Sequence, residues 1–278
     1  MITQEFDFHA PRRLDEVLRL LADNGEGAKL LAGGMSLVPM MTLGLVQPRM
    51  VVSLNHVAGL AYVREDAGAL VIGAGTTHAE VARDPLIARH CPLLADAARH
   101  IGDVQVRNRG TIGGSLAHAD PAADYLPVMA VVGARMIVRG VKDRREIPAD
   151  AFFTGLMQTA VGPQEMLVEI AVPKTQARGA YRRLHRIEGN FAIVNAAAMV
   201  EGAGGAARVA IGGVGHAPVV LDVSAQMRGG ASNDALNAIA GRVYEATAGA
   251  PEDLNATAEY RRRMASVYAR RALAAAAV

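Results

Sequence analysis

The chain has 278 residues, with 29 basic and 27 acidic side chains, and 51% of its residues are hydrophobic. That is enough for one large domain or several small ones around a substantial core, and the near-balance of charge leaves no nucleic-acid footprint and no acidic tail. A single cysteine, Cys91, excludes an intrachain disulfide, a cysteine zinc cage and a cysteine-held cluster within this sequence, and it reads as a small packed hydrophobe.

The opening Met1-Ile2-Thr3-Gln4-Glu5-Phe6-Asp7 lacks a basic region followed by an apolar run. No stretch of about 18 apolar residues occurs, so a cytoplasmic protein without a membrane span is expected. Pro11, followed by Leu14, Val17, Leu18 and Leu21 at helical spacing, predicts a helix over 11–24 closed by Asn24-Gly25. Residues 29–32 read as a short buried strand, 36–43 as a helix that Ser36 caps, and 50–54 as a further strand. These make a small α/β unit over residues 1–55.

Strands 60–64 and 69–72 flank Glu65-Asp66-Ala67-Gly68, a hairpin signal. The following Gly73-Ala74-Gly75-Thr76-Thr77-His78 begins like a dinucleotide fingerprint, but His78 stands where its third glycine belongs. No Gly-Lys-Ser/Thr loop is present either, so Rossmann and Walker-type folds are excluded. Thr77 is expected to cap a helix over 78–83, followed by helices 84–90 and 92–100. Beyond residue 121 the pattern predicts a helix over 122–132, a hairpin of 135–139 with 144–147, and a strand 166–172 ended by Pro173. The polar, breaker-rich segment 174–179 then separates a second region, 56–175, from a third, 176–278. In the third, strands 181–186, 193–201 and 207–213 form an antiparallel sheet with a turn at Gly202-Ala203-Gly204-Gly205. Two helices follow, 233–248 and 251–276. The second presents Leu254, Tyr260, Met264, Val267 and Leu273 as its apolar face, with Arg261, Arg262 and Arg263 solvated.

Two stretches carry chemistry. One is Ala32-Gly33-Gly34-Met35-Ser36-Leu37, a glycine pair between an apolar run and a helix start. The other is Thr111-Ile112-Gly113-Gly114-Ser115, followed by Asp120 and Asp124. Paired glycines let backbone N–H groups approach a bulky anion, and helix N-termini favour one electrostatically. Two such turns suggest the two sides of one pyrophosphate, with Asp120 and Asp124 as acceptors for sugar-like hydroxyls. Arg107 and Arg109 stand beside the phosphate or are solvated. His78, His100 and His118 are candidates for loop structure rather than acid–base catalysis.

On these turns, together with Ile72-Gly73-Ala74-Gly75-Thr76-Thr77, Ala119-Asp120-Pro121-Ala122-Ala123-Asp124, Glu188-Gly189-Asn190-Phe191-Ala192 and Glu259-Tyr260-Arg261-Arg262, the sequence resembles the FAD-binding medium subunit of the molybdenum hydroxylases. The resemblance runs from about residue 4 to residue 273. It implies an α+β fold: a two-part α/β FAD-binding region of the vanillyl-alcohol-oxidase/molybdenum-hydroxylase type, then a C-terminal domain with an antiparallel three-stranded sheet and helices. It assigns FAD to Ala32, Gly33, Gly34, Met35, Ser36, Leu37, Thr111, Ile112, Gly113, Gly114, Ser115 and Asp124, with Ile101, Leu167 and Arg182 where relatives touch the cofactor. Phe191 matches an aromatic or apolar position near the flavin ring; the alternative is a core aromatic on a strand. Met35 stands where relatives commonly have Gln or His. The resemblance further implies that electrons pass from the iron–sulfur subunit through FAD to an external acceptor. Its partners would be a large molybdenum-pterin subunit and a small subunit with two two-iron clusters, assembled as a dimer of heterotrimers. A self-sufficient flavin oxidase and a cofactor-free scaffold are the alternatives.

Overall fold

The computed structural model describes residue 2, residues 4–202 and residues 205–278. At the N-terminus, β1 (Asp7–His9), α1 (Leu14–Asn24), β2 (Ala28–Leu31), α2 (Leu37–Thr42) and β3 (Met50–Ser53) form a parallel three-stranded sheet in the order β1-β3-β2. The stripe predicted for α1 is the buried one: Val17, Leu18 and Leu21 face β2 and β3.

The chain continues through β4 (Val63–Asp66), β5 (Ala69–Gly73), α3 (His78–Arg83), α4 (Pro85–His90), α5 (Pro92–Arg99), α6 (Val104–Arg109), α7 (Ile112–His118) and α8 (Tyr125–Val132). Then come β6 (Arg135–Arg139), β7 (Arg144–Pro148), α9 (Ala149–Phe152), β8 (Phe153–Gly155), β9 (Gln158–Thr159) and β10 (Met166–Pro173). A five-stranded antiparallel sheet, β4-β5-β10-β6-β7, centres on β10. One core runs from Ile72 and Ile170 on this sheet through Leu94 and Leu116 to Tyr181, Ala197 and Ala210 of the C-terminal strands. α8 lies inside it and is apolar and buried all round, so it has no solvent face to pattern.

The C-terminal strands are β11 (Arg178–Leu184), β12 (Val194–Val200), β13 (Ala207–Gly212) and β14 (Val219–Asp222). They pair antiparallel in chain order, with α10 (Ser224–Met227), α11 (Asn233–Ala246) and α12 (Ala258–Ala276) following. The sheet thus has four strands where three were expected. The fourth is a short, half-buried edge strand directly after Pro218, too brief to show an alternating pattern. The turn expected at 202–205 includes Ala203 and Gly204, which lie outside the described residues.

α12 starts seven residues later than residue 251 because Thr257 caps it. The Thr257 hydroxyl accepts from the Tyr260 N–H at 3.2 Å, and Asp253 holds the preceding turn through the N–H groups of Asn255 and Ala256. Leu254 is therefore 99% exposed and Tyr260 is exposed, so neither belongs to the apolar face. That face is instead Ala265, Ala269, Ala272, Leu273 and Ala276, which meets alanines 196 and 198 of β12. Small side chains on both surfaces let helix and sheet approach closely, as the low aromatic content foreshadows.

Arg261 is the larger correction, since it is buried rather than solvated. It donates from Nε to Pro251 O at 3.0 Å and from Nη1 to Ile193 O and Gly213 O, and it pairs with Asp253 at 2.8 Å. It ties three backbone segments to one helix. Arg261→Leu leaves those carbonyls without a donor and is expected to cost about 3 kcal/mol in urea unfolding, with Arg261→Lys recovering part of it.

Candidate functional site

A cleft of about 730 Å³ opens where the N-terminal unit, the five-stranded sheet and the C-terminal domain meet. That is in the upper range of small-molecule and cofactor sites. All of the expected site residues line it except Ile112 and Arg182. Ile112 is fully buried with its side chain in the core. Arg182 is exposed and turns its guanidinium onto Tyr181 O at 2.7 Å, because the alternation of β11 sends its neighbour Tyr181 inward.

The two glycine turns, about eighty residues apart, converge. The first links β2 to α2, and a Cβ on Gly33 would stand 2.0 Å from Arg109 O and 2.7 Å from Gly110 Cα. Only glycine permits that backbone contact. Gly34 has φ +78°, the left-handed region that glycine enters freely. Across the gap, Gly114 lies near Ala32. The second turn is the start of α7 rather than an open loop. A Cβ on Gly113 would sit 2.4 Å from that of Ala74, so this glycine lets α7 lie directly on the 73–77 segment.

The hydrogen-bond accounting separates the two turns. In the second, Ile112 N–H donates to Thr76 O, Gly113 N–H to Ala74 O, Gly114 N–H to the Thr111 hydroxyl and Ser115 N–H to Thr111 O, all at 2.9–3.0 Å. Among the described residues, only Thr111 of this turn keeps an N–H without a protein acceptor. In the first, the N–H groups of Gly33, Gly34, Met35, Ser36 and Leu37 all lack one. Ser36 occupies the N-cap position of α2, but its hydroxyl caps nothing. Of the two turns expected to flank one pyrophosphate, the second thus has few amides to offer: capping of α7 by Thr111, and its docking on 74–76, consume its set except for the Thr111 N–H. Five adjacent unpaired donors are costly unless water or a ligand meets them.

Asp124 is buried in the cleft wall. Its Oδ1 accepts from the Tyr181 hydroxyl and pairs with Arg183 Nη1 at 3.1 Å. Burial nevertheless pushes its pKa up, with Arg183 and Tyr181 opposing. Asp120 spends Oδ1 on Ala122 N–H at 2.8 Å. Arg107 Nη1 donates to Ile101 O and Gly102 O at 2.9 Å, which ties its guanidinium to the backbone; Arg109 lines the cleft, exposed. Phe191 precedes β12 and is 56% exposed on the cleft rim, so it is not a core strand aromatic. Leu167 and Ile101 form apolar wall. Unforeseen lining residues are Lys29, Asn55 and Leu60 toward the N-terminal unit and Met157 and Asn190 opposite. Apart from Asn190, which lies in the 188–192 match, none carries a motif, and the left-handed backbone of Met157, φ +53°, has no signature in its residue type.

The 73–77 segment, rejected as a Rossmann fingerprint, has a different task here. Gly73-Ala74-Gly75 leads into Thr77, which forms a full capping box with Glu80. His78 N–H donates to Gly110 O at 2.9 Å, which pins the second turn. The His78 ring is buried, with Nδ1 3.1 Å from the Tyr125 hydroxyl, and burial, aided by Arg107, lowers its pKa to about 4. His118 is half-buried at the cleft, its pKa also lowered by burial. His100 lies outside the cleft wall and binds Asp96 O through Nδ1 at 2.8 Å.

These features give the cleft an apolar wall and a row of unpaired backbone donors suited to an anionic group. The comparisons agree. The family described as "FAD binding domain in molybdopterin dehydrogenase" matches residues 4–175, and "CO dehydrogenase flavoprotein C-terminal domain" matches residues 179–276. The carbon monoxide dehydrogenase medium chain of Hydrogenophaga pseudoflava is 38% identical, over 99% of this chain and 98% of its own. The nicotine 6-hydroxylase medium subunit of Paenarthrobacter nicotinovorans is 31% identical, over 96% and 95%. Among solved structures, reconstituted carbon monoxide dehydrogenase from Oligotropha carboxidovorans superposes with a TM-score of 0.92 at 32% identity, covering all of both chains. The chain belongs to the family of FAD-binding medium subunits of molybdenum hydroxylases.

An unfolded chain protonates His78 near pH 6.5, whereas the folded one does so only near 4. Its neutral burial therefore stabilises the fold fully above pH 6.5, and that contribution is lost as pH falls toward 4. Between pH 7 and pH 5 the loss is about 2 kcal/mol. His78→Gln should flatten the pH dependence of the unfolding free energy by that amount. Parallel profiles for the two proteins would mean that His78 titrates freely in the fold.

Proposed function

We propose that the cleft holds FAD with its pyrophosphate against the free amides of residues 33–37 and that of Thr111, and its flavin toward Phe191. The observation that carries this is the row of five backbone donors with no protein acceptor, set at a turn that a side chain at residue 33 would close. A diphosphate supplies acceptors for such donors without needing cationic partners. The residues present therefore fit the cofactor that the family carries.

The chain's own groups have distinct tasks. The first turn binds, and the second, rigid through its own hydrogen bonds, walls the opposite side. Leu167 and Ile101 exclude water, and Asp124 offers a carboxylate at the wall. Met35 presents a thioether where the family resemblance implies an amide or imidazole. A thioether donates no hydrogen bond, so the phosphate contact at residue 35 falls to its N–H. Bound FAD supplies the redox chemistry, accepting electrons and passing them to an external acceptor.

The chain is thus the FAD-carrying electron-transfer subunit of a molybdenum hydroxylase complex. We infer partners comprising a large subunit with the molybdenum-pterin centre and a small subunit with two two-iron clusters, arranged as a dimer of heterotrimers in the cytoplasm. Names such as carbon monoxide dehydrogenase medium chain and nicotine 6-hydroxylase medium subunit support the subunit role. Their different substrates support assigning substrate choice to the large subunit. Among the described residues no helix is long and apolar enough to cross a membrane.

Purification with its co-expressed partners should give a yellow complex that contains molybdenum and iron and releases FAD on acid denaturation. Gly33→Ala should weaken FAD retention by about tenfold or more, because the added methyl has only backbone to push against. Met35→Gln should change it by less than about threefold. Unaltered FAD content in the alanine variant, or a large loss in the glutamine variant, would overturn the assignment of the pyrophosphate to this turn.

A further inference from the structure

Arg183 lies on β11, outside the glycine turns, and nothing in the motif pattern marks it. Its side chain is only 4% exposed. It converges on three separate segments at the cleft. Nη1 pairs with Asp124 Oδ1 at 3.1 Å and also donates to His100 O; Nη2 donates to Asn190 O. Asp124 begins α8, His100 precedes the Ile101 wall, and Asn190 immediately precedes Phe191. The 187–191 segment is otherwise lightly held. It closes on itself through Asn190 N–H to Ile187 O at 3.1 Å, turns at Gly189 with φ +86°, and Gly189 lies beside Gly102 and Asp103. Phe191 itself is more than half exposed. Packing therefore does not fix this aromatic ring, whereas a hydrogen bond from a buried guanidinium to the preceding carbonyl restrains its backbone.

Burying a guanidinium costs several kcal/mol unless it is paired and its donors are used. Asp124 supplies the charge, and the two carbonyls use the fork. Nε stays buried without a partner, so the side chain is held at an energetic cost. A lysine would satisfy Asp124 equally well but would present one nitrogen, unable to span all three segments. The geometry favours a fork that bridges over a charge that merely neutralises.

We propose that Arg183 is a positioning residue that sets where Phe191 stands over the cleft by locking the 187–191 segment to the Asp124 wall. This rests on the FAD assignment above, with Phe191 at the flavin end. The carboxylate on the cofactor wall and the aromatic rim are then one mechanical unit, joined through a side chain that does not line the cleft itself.

The test is a double-mutant cycle on the full-length protein, read as the FAD dissociation constant and the visible circular dichroism of the bound flavin, with thermal midpoints recorded alongside. Arg183→Lys and Phe191→Ala should each weaken FAD by about tenfold and change the flavin dichroism in the same way. The double variant should lose about tenfold rather than about a hundredfold, since either change removes the same contact. Additive losses, or a lowered thermal midpoint in Arg183→Lys with FAD affinity and dichroism unchanged, would overturn the proposal and leave Arg183 a purely structural clamp. If Arg183→Lys does not fold, Arg183→Gln, which retains two N–H donors, takes its place in the same cycle. A wild-type protein that binds no FAD would instead bring down the cofactor assignment, and this inference with it.

Discussion

The site depends on one backbone-to-backbone contact. Gly33 meets the carbonyl of Arg109 and the α-carbon of Gly110 at a distance that leaves no room for a Cβ. This contact brings a turn of the N-terminal parallel unit against the start of α7, and the gap beside it becomes the cleft. The rest of the architecture serves to make that contact reproducible. The first turn hangs from β2, whose Ala28 and half-buried Leu30 pack in one core with α1. The second is held from beneath by Thr76, Ala74 and His78, whose segment leaves the central sheet at β5. Even the irregularity in β10 contributes. Its register shifts between Leu167 and Glu169, and Val168 O receives the Ala74 N–H at 2.9 Å. The bulge thus aims the 73–77 segment while Leu167 lines the cleft.

The C-terminal domain completes the enclosure. β11 contributes Tyr181 and Arg183, both closing on Asp124, and the segment before β12 contributes Phe191. Gly213 N–H reaches Pro121 O at 2.8 Å, and the Asn195 amide donates to Ala122 O and Ala123 O. The stretch between α7 and α8 is therefore stitched to both halves. Arg261, at the back of the same turns, keeps residues 193 and 213 in place. These hydrogen bonds tie the C-terminal domain to the wall of the cleft.

Much of this was legible from residue order. Both glycine turns, the Thr77 cap, the α1 stripe and most of the strands up to β13 follow from local chemistry, whereas the two- and three-residue strands β1, β8 and β9 are too short to leave a pattern. The failures have physical reasons. Two adjacent glycines argue against helix, yet Gly113 and Gly114 lie in α7 because close packing on Ala74 outweighs their poor propensity. Consequently the N–H groups that look free in the sequence are already used in the fold. The three consecutive arginines of α12 look alike, but helical geometry turns Arg261 inward and leaves Arg263 out. Arg183 could not be singled out beside Arg182, since strand alternation, and not residue type, decides which of them is buried. β14 is not legible because its residues, half-buried in succession, show no alternation and no tight-turn signal like that of the β4–β5 hairpin precedes it.

The asymmetry between the two turns has a consequence for any ligand that enters the cleft. One jaw of the cleft is nearly complete by itself, its donors satisfied within the protein except for the Thr111 N–H. The other carries unmet donors and gains its partners only from what enters. Whatever enters can therefore order only one side: the strand-to-helix turn at residues 33–37 has amides left to satisfy, whereas the start of α7 is already held by its own hydrogen bonds.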